Sequence, residues 1–234
     1  MQLSKRLQMV ADQVLSGGVL ADIGCDHGFT SIYLVSNSRV RKAIAMDVRE
    51  GPLGRASEHV VESGLQEQIE LRLSDGLEQL QPGEADAILI SGMGGALMEQ
   101  ILRAHPEVTK AARELVLSPQ SEVYRIRTCL HELGFRIARE DMVQDMGKYY
   151  VVLRAVPGTE HYLQAVEYTY GRDLIRQKHP VFRQYMEAEK CRVANILAQF
   201  PLGSDSERLE QLRQEADAID LVLDLLDSSV LDER

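Results

Sequence analysis

The sequence is short of cysteines and of long apolar segments. Its 234 residues include three cysteines, an odd number and widely spaced, which argues against a disulfide framework and for a reducing compartment. No apolar run approaches the roughly 20 residues that span a bilayer. Residues 1–6 are polar and lack the apolar region of a signal peptide. We therefore expect a cytoplasmic protein that is not attached to a membrane.

Basic residues are also scarce relative to acidic ones. The chain has 26 lysines and arginines against 36 acidic residues, a formal net charge of −10, which argues against indiscriminate binding to nucleic acid. The distribution is uneven, because residues 172–192 hold six basic and three acidic residues, whereas residues 204–233 hold two basic and ten acidic ones. The basic segment permits a contact with nucleic acid without predicting one.

What the sequence does have is an apolar run that ends in an acidic, glycine-punctuated turn, Val19–Gly28. Glycine at positions 24 and 28 allows a sharp turn and a close approach to a ligand. The carboxylates of Asp22 and Asp26 would repel the pyrophosphate that a helix N-terminus otherwise attracts. This strand and loop therefore suit a cofactor that carries positive charge.

Two further predicted strands also end in a carboxylate. Ala43–Asp47 ends nineteen positions after Gly28, where nucleotide-binding sheets place the acid that binds ribose hydroxyls. The strand Ile69–Leu73 is followed by Asp75. Because the carboxyl ends of parallel strands share one edge of a sheet, we expect these acids to converge on a ligand site there.

The remaining strands complete a seven-stranded sheet. Residues 85–90 run into the loop Ser91–Gly95, which either admits the reacting group of a substrate or is only a tight turn. A fifth strand covers residues 114–117. Residues 135–139 and 148–153 flank an acidic loop, residues 140–147, that is too short for a crossover helix. We therefore predict five strands of parallel type followed by an antiparallel hairpin at the edge.

The sequence changes character at Pro157–Thr159, which predicts domains at residues 1–157 and 158–234. Beyond this boundary a set of positions, all apolar except Glu189, recurs at alternating spacings of four and three, as in a heptad repeat. These positions are Phe182, Met186, Glu189, Val193, Ile196 and Phe200, then Leu209, Leu212, Ala216, Ile219, Leu223 and Leu226. Joined through residues 201–204, they predict an all-helical domain built on an antiparallel coiled coil.

A cofactor with an adenosine, a positive centre and no phosphate fits these acids, and S-adenosylmethionine has that chemistry. Asp47 would take the ribose, Asp75 and Gly76 would flank the adenine, and Gly24, Asp26 and His27 would bound the methionine end. Nicotinamide enzymes also combine a glycine loop with a downstream acid. An acid at position 26, where dinucleotide sheets have glycine, and the terminal hairpin favour S-adenosylmethionine.

Six motifs together resemble the bacterial TrmK family of tRNA adenine-N1 methyltransferases. They are Ser4–Leu7, Ala21–His27, Gly51–Pro52, Asp75–Leu77, Gly92–Gly95 and Gly147–Tyr150. The resemblance runs through residues 1–155 and implies a class I S-adenosylmethionine fold, Rossmann-like, with a helical C-terminal domain, and methylation of N1 of adenine 22 in the D arm of tRNA. The chain departs from the family at Cys25, Gly28–Ser31, Asp47 and Ser118–Gln120, where the family commonly has Ser, Ala-Tyr-Leu-Pro, Glu and Gln-Pro-Asn.

Candidate site residues follow from these motifs. N1 of adenine has a free lone pair, so the reaction needs alignment more than a base. Asp26 and the backbone carbonyls of residues 91–94 are the candidates that stabilise the developing positive charge. The predicted cofactor site comprises Asp22, Gly24, Cys25, Asp26, His27, Gly28, Asp47, Val48, Asp75, Gly76, Gly92 and Met93. The predicted substrate contacts are Lys5, Arg6, Gly94, Pro119, Arg125, Arg127, Arg172, Arg176, Lys178 and Arg183.

Two other functions stay open at this point. One is a small-molecule methyltransferase whose helical domain is a lid or a dimerisation arm, and the other is a non-catalytic scaffold that binds S-adenosylmethionine. The basic side chains could equally be solvated helix faces. We expect a monomeric enzyme that binds tRNA, uses no metal and does not attach to a membrane.

Overall fold

The computed structural model describes residues 2–15, 17–201 and 206–228. Backbone contacts divide the chain after His161 into two compact units, four residues beyond the predicted boundary. We call residues up to His161 the sheet unit and residues from Tyr162 the helical unit.

The sheet unit contains one seven-stranded sheet in the order β3-β2-β1-β4-β5-β7-β6. Its strands are β1 (Val19–Ile23), β2 (Lys42–Asp47), β3 (Ile69–Leu73), β4 (Ala87–Ser91), β5 (Glu114–Ser118), β6 (Phe135–Asp145) and β7 (Lys148–Pro157). Strands β1 to β5 pair in parallel, and β7 lies antiparallel between β5 and β6. The predicted fold, five parallel strands and a terminal antiparallel hairpin, is confirmed.

The central strands β1, β2, β4 and β5 are buried at almost every residue, as in parallel sheets that are covered on both faces. The helices are α1 (Lys5–Asp12), α2 (Phe29–Ser36), α3 (Glu50–Glu62), α4 (Gly95–Ala104), α5 (Pro106–Ala111) and α6 (Val123–Leu133). The first helix is shorter than the predicted residues 1–16, and Ser4 caps it by accepting a hydrogen bond from the Leu7 amide at 3.3 Å.

The prediction of a loop over residues 140–147 is wrong. Strand β6 continues to Asp145, and only Met146 and Gly147 form the turn, both with positive φ (49° and 77°). Side chains in this segment alternate between buried and more exposed positions, as in a strand, and Glu140 and Met142 are among the buried ones. The acidic composition made this alternation hard to recognise in the sequence. A bulge between Ile137 and Arg139 shifts the pairing with β7.

The helical unit contains a π-helical turn (Glu167–Gly171), α7 (Arg172–Arg176), α8 (Pro180–Leu197) and α9 (Glu207–Asp227). Helices α8 and α9 pack together through the predicted seam, in which Phe182, Met186, Val193, Leu212 and Ile219 are buried. Near the end of α9 the burial departs from the predicted seam, since Val222 is buried and Leu223 only partly. Helix α9 also contacts α7. Of the predicted connection at residues 201–204, only Pro201 lies within the described residues.

None of the helices in the described part of the chain combines the length and hydropathy that a membrane span requires.

Candidate active site

A cavity of about 540 Å³ lies at the carboxyl ends of the parallel strands in the sheet unit. Most of its charged lining residues are acidic: the carboxylates are those of Asp22, Asp26, Asp47 and Asp75, and the guanidinium groups are those of Arg6 and Arg49. The strand-end acids therefore converge at one edge of the sheet, where open α/β sheets bind ligands.

The loop after β1 curls tightly because three of its residues adopt positive φ: Gly24 (71°), Asp26 (49°) and Gly28 (69°). Aspartate tolerates this conformation better than most side chains with a Cβ. The amides of Gly24 and Cys25 donate to the carbonyl oxygen of Met46 at 2.8 and 2.9 Å, which ties the loop to β2. The loop thus keeps its backbone close to the cavity without regular secondary structure.

Asp22 lies at the base of this loop and is only 5% exposed. Its Oδ2 accepts a hydrogen bond from the Ser31 hydroxyl at 2.7 Å. Burial raises the pKa of Asp22 from 3.8 to about 6, with the nearby carboxylate of Asp47 adding to the increase and the Ser31 hydrogen bond opposing it. Asp22 therefore joins β1 to the start of α2 while lining the cavity floor.

Asp47 ends β2, and its buried carboxylate holds two neighbouring segments. Its Oδ1 accepts from the Arg49 amide at 3.0 Å and its Oδ2 from the Asp26 amide at 3.4 Å. An ionised carboxylate offers about four acceptor positions. Asp47 can therefore accept hydroxyl groups of a ribose without giving up either contact.

The wall beyond Asp47, which we call the slot at Gly76, combines apolar side chains with one carboxylate. Val48, Leu97 and Ile101 line it together with Asp75 and Gly76. Gly76 has a φ of 56°, and a Cβ there would lie 3.0 Å from side-chain carbons of Ile101. This slot suits a flat aromatic base whose edge is met by a carboxylate.

The loop after β4 forms the opposite wall. The Gly92 amide donates to the Ser118 carbonyl at 3.2 Å, and the Gln120 amide donates to the Met93 carbonyl at 2.8 Å. The methyl group of Met93 lies so close to Gly24 that a Cβ there would be 2.2 Å away. Arg6 reaches the same rim, with its guanidinium 5.2 Å from the centre of the Tyr150 ring.

The residues present fit S-adenosylmethionine. The acid-rich lining favours a cationic sulfonium, the slot at Gly76 accepts an adenine, and Asp47 has spare acceptor capacity for a ribose. Two buried polar atoms of the lining, His27 Nδ1 and Ser91 Oγ, also have no hydrogen-bond partner within the described residues. Such atoms are normally satisfied, so a bound ligand is a natural partner for them.

Cys25 has no role as a nucleophile in this arrangement. Its side chain is 9% exposed, and burial together with the nearby carboxylates of Asp22, Asp47 and Asp26 raises the thiol pKa well above its ordinary value. Because the thiolate is the reactive form, Cys25 serves as a packed lining residue. Within the described residues, no group of three or more His, Cys, Asp or Glu side chains is placed to hold a metal ion.

Several predicted residues do not line the cavity. Gly28 instead precedes α2 in the left-handed conformation, Gly94 caps α4, Pro119 is buried, and Lys5 lies in the first turn of α1. The side chain of Gln120, next to Pro119, reaches the cavity in its place.

The predicted phosphate contact by Arg127 is wrong. Its side chain is 2% exposed, and its Nε lies 2.7 Å from Oε1 of the fully buried Glu140. Arg125 is half-buried and contacts Glu99 at 2.8 Å. In the helical unit, Arg183 pairs with Asp227 at 2.8 Å, whereas Arg176 is exposed.

Sequence reasoning missed part of the lining. The missed residues are Leu7, Ile23, Phe29, Thr30, Arg49, Ser74, Leu97, Ile101 and Gln120, whereas Ser91 lies in the loop that was predicted to admit the substrate. Leu97 and Ile101 are four residues apart on α4, so a helical assignment directly after the Gly92–Gly95 turn would have placed both on one face. Ser74 and Arg49 adjoin predicted acids but carry no signal of their own.

Comparisons with known proteins agree with this geometry. A family model described as a methyltransferase domain matches residues 3–153. A tRNA (adenine(22)-N(1))-methyltransferase of Bacillus subtilis is 35% identical over 233 residues, which cover 97% of this chain and 98% of that protein. The crystal structure of the B. subtilis m1A22 tRNA methyltransferase TrmK is 34% identical with a TM-score of 0.85, covering 95% of this chain and 99% of that one. The structure of Streptococcus pneumoniae Sp1610 in complex with S-adenosyl-L-methionine is 32% identical with a TM-score of 0.87, covering 95% and 100%.

The fold and the acid-lined cavity define a methyltransferase of the class that uses S-adenosylmethionine. Similarity over nearly the full length of both chains narrows the class further. The chain belongs to the TrmK family of tRNA (adenine(22)-N(1))-methyltransferases.

Proposed function

We propose that this chain transfers the methyl group of S-adenosylmethionine to N1 of adenine 22 in tRNA. The observation that carries the proposal is the extent of the similarity to the B. subtilis enzyme, which covers 97% of this chain and 98% of that protein. A methyltransferase domain alone, residues 3–153, is compatible with many substrates. The shared helical unit is what favours a large RNA substrate over a small molecule.

The cofactor supplies an electrophilic methyl group on a positively charged sulfur. Asp47 would accept the ribose hydroxyls, and Asp75 with the slot at Gly76 would hold the adenine. Gly24, Asp26 and His27 would bound the methionine end.

The protein contributes alignment and electrostatics to the transfer. N1 of a neutral adenine already has a lone pair, so no general base is required. The methylated base is positively charged, and a fixed negative group near N1 stabilises that charge as it develops. Asp26 at the cavity rim is the candidate, since its side chain is 61% exposed and its charge is only partly offset by Arg55 at 3.3 Å. The carbonyl groups of Ser91 and Gly92 are further candidates, whereas that of Met93 already accepts from Gln120.

Basic side chains of each unit are the proposed tRNA contacts. In the sheet unit Arg6 lies at the rim of the cavity, and Lys5 and Arg125 would contact phosphates. In the helical unit Arg172, Arg176, Lys178 and Arg183 would contact phosphates. We further propose that the protein acts as a monomer in the cytoplasm, where its tRNA substrate is found. Light scattering that gives the mass of one chain for the free protein, and of one chain plus one tRNA for the complex, would support the monomer.

The proposed reaction is tested with labelled S-adenosylmethionine and unmodified tRNA, followed by digestion to nucleosides. Label should appear as N1-methyladenosine. A matched transcript with guanine in place of adenine 22 should take up no label. Label that is absent from RNA, or that persists in the guanine variant, would contradict the proposal.

The role of Asp26 is tested separately from that of the loop backbone. Asp26→Ala should lower kcat about 100-fold, the order of loss seen when one electrostatic group is removed from an active site. Asp26→Asn is the matched control because asparagine tolerates positive φ but lacks the charge. A similar loss in both variants, with the affinity for S-adenosylhomocysteine changed less than about threefold, is expected. Full activity in Asp26→Asn would exclude a role for the charge.

A further inference from the structure

One face of α3 lies directly against the loop after β1. Arg55 Nη2 is 3.3 Å from Asp26 Oδ1, and His59 Nδ1 is 3.0 Å from the carbonyl oxygen of His27. Between these contacts, Ala56 packs so closely that a Cβ at Gly28 would lie 3.3 Å from its own Cβ. Successive residues of the loop therefore each meet a residue of α3.

His59 makes two distinct contacts with the loop. A carbonyl oxygen only accepts hydrogen bonds, so Nδ1 of His59 carries the proton and donates it to His27. The His59 ring also stacks on Phe29 with a centroid distance of 4.8 Å, and Phe29 in turn stacks on His27 at 5.2 Å and 8°. The hydrogen bond holds the backbone of the loop, and the stack packs the His59 ring against Phe29.

The loop needs such support because its backbone is unfavourable. Asp26 has a φ of 49° without being glycine, and residues in sparsely populated conformations persist only where their surroundings determine them. The Gly28 amide closes the turn by donating to the Cys25 carbonyl at 2.8 Å, but the Asp26 amide itself makes only a long hydrogen bond to the Asp47 carboxylate, at 3.4 Å. A donor that holds the next carbonyl, that of His27, therefore has a direct effect on where Asp26 lies.

We propose that His59 is a positioning residue that holds the loop Cys25–Phe29 in its cofactor-lining conformation through the hydrogen bond from Nδ1 to the His27 carbonyl. Arg55 supports the loop more weakly, because its side chain and that of Asp26 are 48% and 61% exposed and their pairing is screened by water. This role of His59 depends on one part of the proposed function, namely that the loop binds the methyl donor.

Two variants of His59 separate the hydrogen bond from the stack. His59→Asn keeps a donor nitrogen on Cγ, where Nδ1 was, but loses the ring, whereas His59→Phe keeps a stacking ring and loses the donor. Titration calorimetry with S-adenosylhomocysteine should give about a fivefold weaker Kd for His59→Phe, the worth of one ordinary hydrogen bond. His59→Asn should stay within about twofold of the unaltered protein, as should Arg55→Met and the exposed control Glu58→Ala on the same helix.

Hydrogen exchange reports the loop position directly. In His59→Phe the amides of residues 25–29 should exchange faster, while those of β1 stay unchanged, and the KM for S-adenosylmethionine should rise more than kcat falls. The proposal is overturned if His59→Phe binds normally, or if His59→Asn loses as much affinity as His59→Phe. Neither binding nor exchange requires tRNA, so a failure of RNA methylation would count against the proposed function and leave this inference standing.

Discussion

The sheet unit and the helical unit use ion pairs of the same length in opposite surroundings. In the sheet unit, Arg127 and Glu140 meet at 2.7 Å with side chains that are 2% and 0% exposed. In the helical unit, Lys190 of α8 and Asp220 of α9 also meet at 2.7 Å, but their side chains are 56% and 55% exposed. The two pairs therefore differ in their exposure to solvent and not in their length. The fold requires the buried pair, whereas the cation of the exposed pair can exchange its partner for a phosphate.

The largest effect is expected from breaking the buried pair. Arg127→Met leaves the carboxylate of Glu140 inside the protein without the guanidinium, which typically costs about 3–5 kcal/mol. For a chain of this size that corresponds to a fall in Tm of about 10 °C, measured by calorimetry. The double variant Arg127→Met with Glu140→Leu removes both charges and should recover most of the loss. If the single variant melted normally, the contrast between the two units would be wrong.

The same contrast explains what the sequence could and could not predict. Asp22, Asp47 and Asp75 lie within two residues of the carboxyl ends of β1, β2 and β3. The topology of a parallel sheet brings these strand ends to one edge, so the convergence of the acids could be inferred. Arg127 occupies an ordinary helix, and nothing in its spacing distinguishes a solvated arginine from one that meets Glu140. That partner lies on a strand which the acidic composition of residues 140–145 made resemble a loop.

In the cavity wall, too, the sequence did not predict which individual residue faces the ligand. Pro119 was predicted to contact substrate because it ends β5, yet the strand end turns the proline inward and brings Gln120 to the cavity. Which of two adjacent residues faces a ligand depends on one backbone turn, here the hydrogen bond from the Gln120 amide to Met93. Sequence patterns predict where such a turn lies but not which of its side chains faces the cavity.

A second buried charge, Asp47, should be needed for binding rather than for folding alone. Asp47→Ala removes the acceptor of the Arg49 and Asp26 amides and of the proposed ribose contact. We expect the Kd for S-adenosylhomocysteine to rise about 100-fold, or about 2.7 kcal/mol. Asp47→Asn keeps one acceptor oxygen, so its Kd should lie between the values of the unaltered protein and of Asp47→Ala. Unchanged affinity in Asp47→Ala would place the ribose elsewhere and leave Asp47 as a purely structural buried charge.

A smaller effect is expected at Asp22, where burial opposes ionisation. Its pKa in the folded protein, about 6, lies above the ordinary 3.8, so the folded state holds this proton more tightly than the unfolded chain. Stability from Asp22 is therefore fully present below about pH 4 and is lost as the pH rises through 6. Asp22→Asn should remove that dependence. Its stability relative to the original protein should therefore rise by about 2 kcal/mol between pH 4.5 and pH 7.5, because any change in the bond to Ser31 is the same at both pH values and cancels. Denaturant titrations at both pH values measure it, and a gain in the opposite direction would contradict the buried, partly protonated carboxylate.

The smallest effect is expected from exposed charges of the helical unit, and it concerns RNA rather than folding. Arg176 is exposed and Arg183 pairs at the surface with Asp227, so either guanidinium can turn to a phosphate at little cost. Reversing both to glutamate should weaken tRNA binding about tenfold and reduce the slope of log K against log salt by about 2, while Tm and S-adenosylhomocysteine affinity stay unchanged. Arg213→Glu on the acidic helix α9, where Arg213 is 61% exposed, is the matched control and should leave the salt slope unchanged. An unaltered slope in the double variant would mean that these arginines lie on solvated helix faces and do not contact RNA. A lowered Tm would mean that surface pairs in the helical unit stabilise the fold as the buried pair does in the sheet unit.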